Sequence, residues 1–430
     1  MKPQDIEPPS MSQKFGWLPK TPSEITVDFL KDKLHDQPWS HKIANISFNA
    51  SNTQGQCSLV VLFTLSDEEG NLLSEIYIKF PKDENDKSVA HHVDRKFLVD
   101  SGAYKKEIGF YQYLLNTKSE LLDRHVVPPI YFAEIDRKNL DQFLLILGKS
   151  GNALDQIVGC STEQVRNILE QWAIVQSKFW YTAEQEEQVH AQLIEHGLDT
   201  LTPLHKSVTS LIDKDKYLTI NIGGAIYEIE QVWRTKWEDF ALVVNYFSTV
   251  LELENLSQNV KILSEDVSSE RIFEIIDDAC KLFHAKNRTL NHVDFRLDNM
   301  LQIDENCTEF IDFQSIGFGI CSFDLAFFLS SCSPCDQVNH NFDSFLESYW
   351  TSLINNNSQI EKDYSLTELK RDTRKAAILQ LSCFVSMFSA WKPLLDAGTD
   401  LKSVIGRFFD LVVCSIERML NFYVKFTSSD

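Results

Sequence analysis

"NHVDFRLDNMLQIDENCTEFIDF", residues 291–313, decides how this chain is read. Its first ten positions hold His292, Asp294, Arg296, Asp298 and Asn299, an unusual density of ionisable and amide groups. Ahead of it, Ile272, Ile275, Ile276, Ala279, Leu282 and Phe283 recur at helical spacing, so a helix over 272–285 delivers the chain to the cluster. Behind it, residues 300–303 and 308–311 read as short strands around a polar turn at Asp304, Glu305 and Asn306. Pairing Ile303 with Thr308 across that turn sets Asn299 opposite Asp312. Two oxygen-bearing side chains then meet at the hairpin mouth, with Asp294 in the loop just before it. Hard oxygen donors of this kind suit Mg²⁺, which keeps several waters and binds a substrate's phosphates.

The rest of the chain frames this cluster. At 430 residues it exceeds one ordinary hydrophobic core, so two lobes are expected. Up to residue 147 the pattern is mainly strands: "QCSLVVLFTL" (56–65) and "LSEIYIKF" (73–80) read as a hairpin across "SDEEGN". "PPIYFAEID" and "QFLLILG" are two more strand candidates. One helix interrupts them at 104–115, with Glu107, Phe110, Tyr111 and Leu114 on one face. From residue 148 onward helices dominate, beginning with a capping box of Ser161 and Gln164. The expected fold class is α+β: a small β-rich lobe with an N-terminal extension (1–147) and a larger, mainly helical lobe (148–430). A cleft between two such lobes is a common place for a ligand.

Charge and cysteine usage narrow the partners and the compartment. The formal net charge of −21 argues against nucleic acid or an anionic membrane as main partner. No run of about 18 apolar residues occurs, and "MKPQDIEPPSMSQKFGWLPK" has no apolar signal-peptide core. Nine cysteines lack a disulfide framework, and Cys332 and Cys335 form a lone C-x-x-C read as reduced thiols, pointing to a cytoplasmic protein.

The spacing His292-x-Asp294-x-x-x-x-Asn299 followed by Asp312 is the layout of a kinase-type phosphoryl-transfer site. Such a site needs a strand lysine for the nucleotide phosphates and a helix glutamate to hold it. Lys79 ends the apolar strand "EIYIKF", with Lys82 as the rival candidate. Glu107 lies on an apolar helix face where an unpaired carboxylate is costly, and an ion pair with Lys79 relieves that cost. "SFNASNTQGQC" (47–57), whose only glycine is Gly55, is the candidate loop over the phosphates.

"HVDFRLDNM" and "EFIDFQSIGFGICSFDLAFFL" resemble the catalytic segments of the aminoglycoside phosphotransferase and choline kinase superfamily, most nearly its ecdysteroid-kinase-like (CHK kinase-like) family. "KKEIGFYQYL" and "LEQWAIVQSKFW" are similar to further segments of that family, with Gln176 where a histidine is usual. The resemblance implies a protein-kinase-like two-lobed fold, with 1–147 as the nucleotide-binding lobe and 148–430 carrying the catalytic loop and substrate-binding region. It implies Asp294 as catalytic base or hydroxyl-orienting group. It implies Asn299 and Asp312 as Mg²⁺ ligands, and His292 and Asp324 as supports of the catalytic loop. Arg296 then either touches phosphate or pairs with a carboxylate. Val293 replaces the family's usual glycine without removing a catalytic group. ATP and Mg²⁺ are the implied cofactors, and the implied substrate is a small-molecule hydroxyl: a sterol-like alcohol, amino sugar or amino alcohol. A catalytically inert, kinase-like nucleotide- or partner-binding protein is the alternative. Trp180, Trp233, Trp237, Tyr349 and Trp350 are read either as an acceptor wall or as helix core.

Overall fold

The computed structural model describes residues 18–49, 58–81, 98–99, 102–136, 138–139, 142–195, 219–222, 225–405 and 407–427. The chain forms two compact units, Met1–Val99 with Pro129–Lys149, and Asp100–Pro128 with Ser150–Asp430. The expected α+β class holds: a small antiparallel-sheet unit and a larger helical one. The partition differs from a break at residue 147, because the helix Ala103–Asn116 groups with the larger unit. Its apolar face, read correctly from the sequence, packs against the short turn of helix Phe313–Ser315.

In the smaller unit five strands, β1 (Asn45–Asn49), β2 (Ser58–Ser66), β3 (Leu72–Pro81), β4 (Ile130–Ile135) and β5 (Phe143–Gly148), lie in the order β1-β2-β3-β5-β4. Period-two alternation fixes the faces: Val61, Phe63 and Leu65 of β2 share the core with Ile76, Ile78 and Phe80 of β3. The helix Val27–Lys33 adds Phe29 and Leu30 to that core, and Thr26 caps its start by accepting from the Phe29 amide (3.2 Å). The turn between β2 and β3 is set by Asp67, whose Oδ1 accepts the amides of Glu69 (3.0 Å) and Asn71 (2.8 Å).

The larger unit is built on helix pairs. Thr162–Lys178 packs on Cys335–Asn356, Leu366–Ser389 on both Ile229–Leu251 and Ser322–Ser331, and Arg407–Thr427 on Ser322–Ser331. The segment Leu366–Asp396 is long and apolar enough to cross a bilayer, but 56% of its most apolar window is buried inside the protein. Its capping box (Ser365, Glu368) and buried Asp372, Gln380 and Ser382 suit a core helix. Trp233 and Trp237 stack at 5.0 Å in this core and donate to Ser382 and Ser264. These two and Tyr349 are fully or almost fully buried, so the core reading holds for them.

Between the helices lie short strands that carry the loops of interest. Asn287–Asn291 pairs with Gly317–Gly319 and Tyr181–Thr182, and Met300–Gln302 with Thr308–Phe310 and Asn152–Ala153. The hairpin register corrects the sequence expectation by one residue: Gln302, not Ile303, faces Thr308. The cause is a turn one residue shorter, Asp304–Asn306, closed by the Cys307 carbonyl accepting from the Ile303 amide (2.9 Å). Asn299 therefore lies opposite Ile311, whose amide donates to the Asn299 carbonyl (3.0 Å), rather than opposite Asp312.

Candidate active site

The loop 291–299 enters from a fully buried strand, Asn287–Asn291, and is anchored by one carboxylate. Asp324, in the first turn of a helix buried on every side, accepts the amides of His292 (2.7 Å) and Val293 (2.9 Å) and the indole N–H of Trp172 (3.1 Å). Burial pushes its carboxyl up to about 7, while the three donors favour the anion. This clamp holds Val293 at φ 72°, a conformation at odds with a branched side chain. Here the structure adds to the sequence reading: Val293 adopts a left-handed backbone, which a glycine takes without strain.

His292 is fully buried, and desolvation lowers its pKa, so the ring is neutral. A carbonyl only accepts, so Nε2–H donates to the Ile311 oxygen (2.9 Å). The ring packs on Trp172 and Phe313. This histidine thus ties the loop to the residue before Asp312. Asp312 itself turns the chain at φ 66°, ψ 55°, which an aspartate tolerates, and its Oδ2 accepts from Gln314 Nε2 (3.2 Å).

Asp294 is gathered by its own loop. Arg296 Nε meets its Oδ1 at 3.1 Å, and the Asn299 amide nitrogen donates to both its carbonyl (2.9 Å) and its Oδ2 (2.9 Å). Arg296 also reaches Asp298 (3.0 Å), so its alternative readings resolve toward carboxylate pairing. The Asn299 side chain thus points its nitrogen at Asp294, and its Oδ1 is the acceptor atom of the amide. About a quarter of the Asp294 side chain remains accessible.

Glu107 is buried on the helix Ala103–Asn116, beside Tyr111. The Tyr111 hydroxyl is held un-ionised by burial first, then by the nearby carboxylates Glu107, Asp312 and Glu309. Phe110 and Tyr111 both pack on Phe313, at 4.4 and 5.7 Å between rings. The larger unit thus brings together His292, Asp294, Asn299, Asp312, Asp324 and Glu107. Lys79 lies in the smaller unit, half-buried on β3 opposite Val60 and Leu145, on the face away from Ile78. Gly55 and Lys82 lie outside the described residues.

Several contributors gave no sign in the sequence of the contacts they make. Trp172 looked like plain helix face, yet a buried indole N–H needs an acceptor, and that need was the available signal. Gln176, in the usual histidine position, donates to the Leu290 carbonyl (3.0 Å) and accepts from Tyr349 (2.6 Å). Gln156 and Arg418, which hold the far side of the loop, gave no pattern at all.

An antiparallel-sheet unit, a helical unit and this aspartate–asparagine loop define the kinase-like phosphotransferase class. The chain belongs to the ecdysteroid kinase-like family, whose model matches residues 86–362. No curated protein matches. Among solved structures it is similar to choline kinase from Cryptosporidium parvum Iowa II (12% identity, 94% of each chain, TM-score 0.44). It is also similar to Plasmodium vivax ethanolamine kinase (12% identity, 94% of this chain and 89% of that one, TM-score 0.41). Macrolide 2'-phosphotransferase from Brachybacterium faecium is a further likeness (12% identity, 87% and 97% covered, TM-score 0.38).

Proposed function

We propose that this protein transfers the γ-phosphate of ATP, with Mg²⁺, to a hydroxyl of a small molecule such as a sterol-like alcohol, amino sugar or amino alcohol. The observation that carries the reading is the Asn299 amide. Its nitrogen donates to both the carbonyl and Oδ2 of Asp294, which fixes the Asp294 carboxylate, and its side-chain Oδ1 would serve a cation. That oxygen and the Asp312 carboxylate are hard donors, few in number, as suits an ion that retains water and shares phosphate oxygens. Mg²⁺ held by these two residues would take its remaining ligands from water and phosphate. Mg²⁺ held there would offset phosphate charge.

The chain's own residues do the rest. Asp294, partly accessible and braced by Arg296 and Asn299, would accept the proton of the acceptor hydroxyl and orient its oxygen. Lys79 would meet the phosphates, with Glu107 as its anchor. Fixed charges in a fixed geometry carry most of the rate in such transfers.

Thermal shifts with ATP, with and without Mg²⁺, test this. Asp312→Ala is expected to lose the Mg²⁺-dependent increment, and Lys79→Met to lose most nucleotide stabilisation while Lys82→Met keeps it. A full Mg²⁺ increment in Asp312→Ala contradicts the ligand assignment. Nucleotide binding without transfer to any acceptor would favour the inert kinase-like reading.

A further inference from the structure

The far side of the loop is held by residues outside this chemistry. Gln156, 1% exposed, spans two chain segments: its Oε1 accepts the Leu297 amide (2.8 Å), and its Nε2 donates to the Ser331 carbonyl (2.6 Å). Its own amide donates to Asp298 Oδ1 (3.4 Å), the carboxylate whose other oxygen binds Arg296. Arg296 in turn holds Asp294. Behind Gln156 stands Arg418, 8% exposed on the helix Arg407–Thr427. Its guanidinium donates to the carbonyls of Gln156 (2.8 Å), Ser331 (2.8 Å) and Ile157 (3.0 Å).

We infer that Gln156, fixed by Arg418, is a positioning residue for the Asp294 carboxylate, acting through Leu297, Asp298 and Arg296. The inference rests on the function proposed above for its kinetic consequence, though not for its structural one. The contacts are directional. A flat amide that both accepts and donates sets the height of Leu297 relative to Ser331, and the guanidinium's fixed fork sets the amide's backbone. An apolar replacement of the same length leaves the buried Leu297 amide unmatched and the Ser331 carbonyl with Arg418 alone, so the loop must shift to rehydrate that amide. The link also gives a role to a helix beyond the matched residues 86–362.

Hydrogen exchange and kinetics on the full chain test the inference together. In Gln156→Met the amides of Leu297 and Asn299 are expected to exchange about tenfold faster or more, while those of Ile229–Leu251 are unchanged. The turnover number is expected to fall about 10–100-fold, with nucleotide affinity and KM within about twofold of the parent. Gln156→Asn, one methylene too short to bridge both partners, gives the same signature if the methionine variant does not fold. Arg418→Met repeats the loop exchange, and Arg418→Lys, which still reaches a carbonyl, recovers part of it. Unchanged loop exchange in the Gln156 variants overturns the inference, as does equal acceleration throughout the chain. If the parent chain transfers no phosphate but the loop alone loosens, the proposed function fails and the brace stands. If the parent is active and loop and turnover ignore Gln156, the brace fails and the function stands.

Discussion

Lys106 and Glu107 are neighbours on one helix, and both are buried. Glu107 was read from the sequence by its place on an apolar face; Lys106 was not read at all. Burial alone lowers the Lys106 pKa to about 8 from an ordinary 10.5. The sign follows directly. Above pH 10.5 folded and unfolded chains both hold it neutral. As the pH falls toward 8 the unfolded chain takes up the proton first, so stability drops through that window and stays reduced below it. Lys106→Met is therefore expected to raise stability at pH 7 by about 1–3 kcal/mol, a gain that shrinks as the pH rises from 8 to 10.5. Urea unfolding of both proteins across that range checks it. No gain at pH 7, or a gain flat with pH, contradicts the account. Val293 shows the same limit of residue-level reading: its departure from glycine was visible, but its left-handed backbone was not.

Strands and helices were legible wherever one periodicity ran for several turns. The helix expected over 104–115 is Ala103–Asn116, and the capping box at Ser161 and Gln164 closes in both directions. β2 and β3 lie within two residues of their sequence bounds. The hairpin register was missed because two three-residue strands hold little pattern, and the loop's closure by the Cys307 carbonyl is written in no side chain. A close approach at the neighbouring edge was equally invisible. A Cβ on Gly151 would stand 2.1 Å from the Gln302 carbonyl oxygen and 2.4 Å from its carbon, both backbone atoms. Gly151→Ala is accordingly expected to cost about 3 kcal/mol, near the upper end for overpacking. Gly70→Ala, strained at φ 84° but meeting nothing within 4 Å, should lose only about 1–2 kcal/mol. Equal midpoints for the two variants in urea would contradict that close approach.

Across the whole molecule, length and the change of pattern near residue 148 led to an expectation of two lobes, and the chain divides into two compact units with other bounds. The assignment of helix Ala103–Asn116 to the larger unit was not foreseen, because a helix's sequence gives its apolar face without naming what covers it. Many of the aromatic rings are core: Trp172, Phe295 and Phe310 pack on one another, and Phe110 packs on Phe313, so rings support both the 291–299 loop and the Asp312 turn. Long-range braces such as Arg418 to Gln156 join residues 262 positions apart and leave no local trace. The central claim is that Asp294 serves a phosphoryl transfer, and single-turnover transfer from radiolabelled ATP to a panel of sterols, amino sugars and amino alcohols tests it most directly. The parent chain is expected to label at least one acceptor in a Mg²⁺-dependent reaction, and Asp294→Asn to bind ATP normally yet label it about 10²–10⁴-fold more slowly. Transfer by Asp294→Asn at the parent's rate would contradict the account.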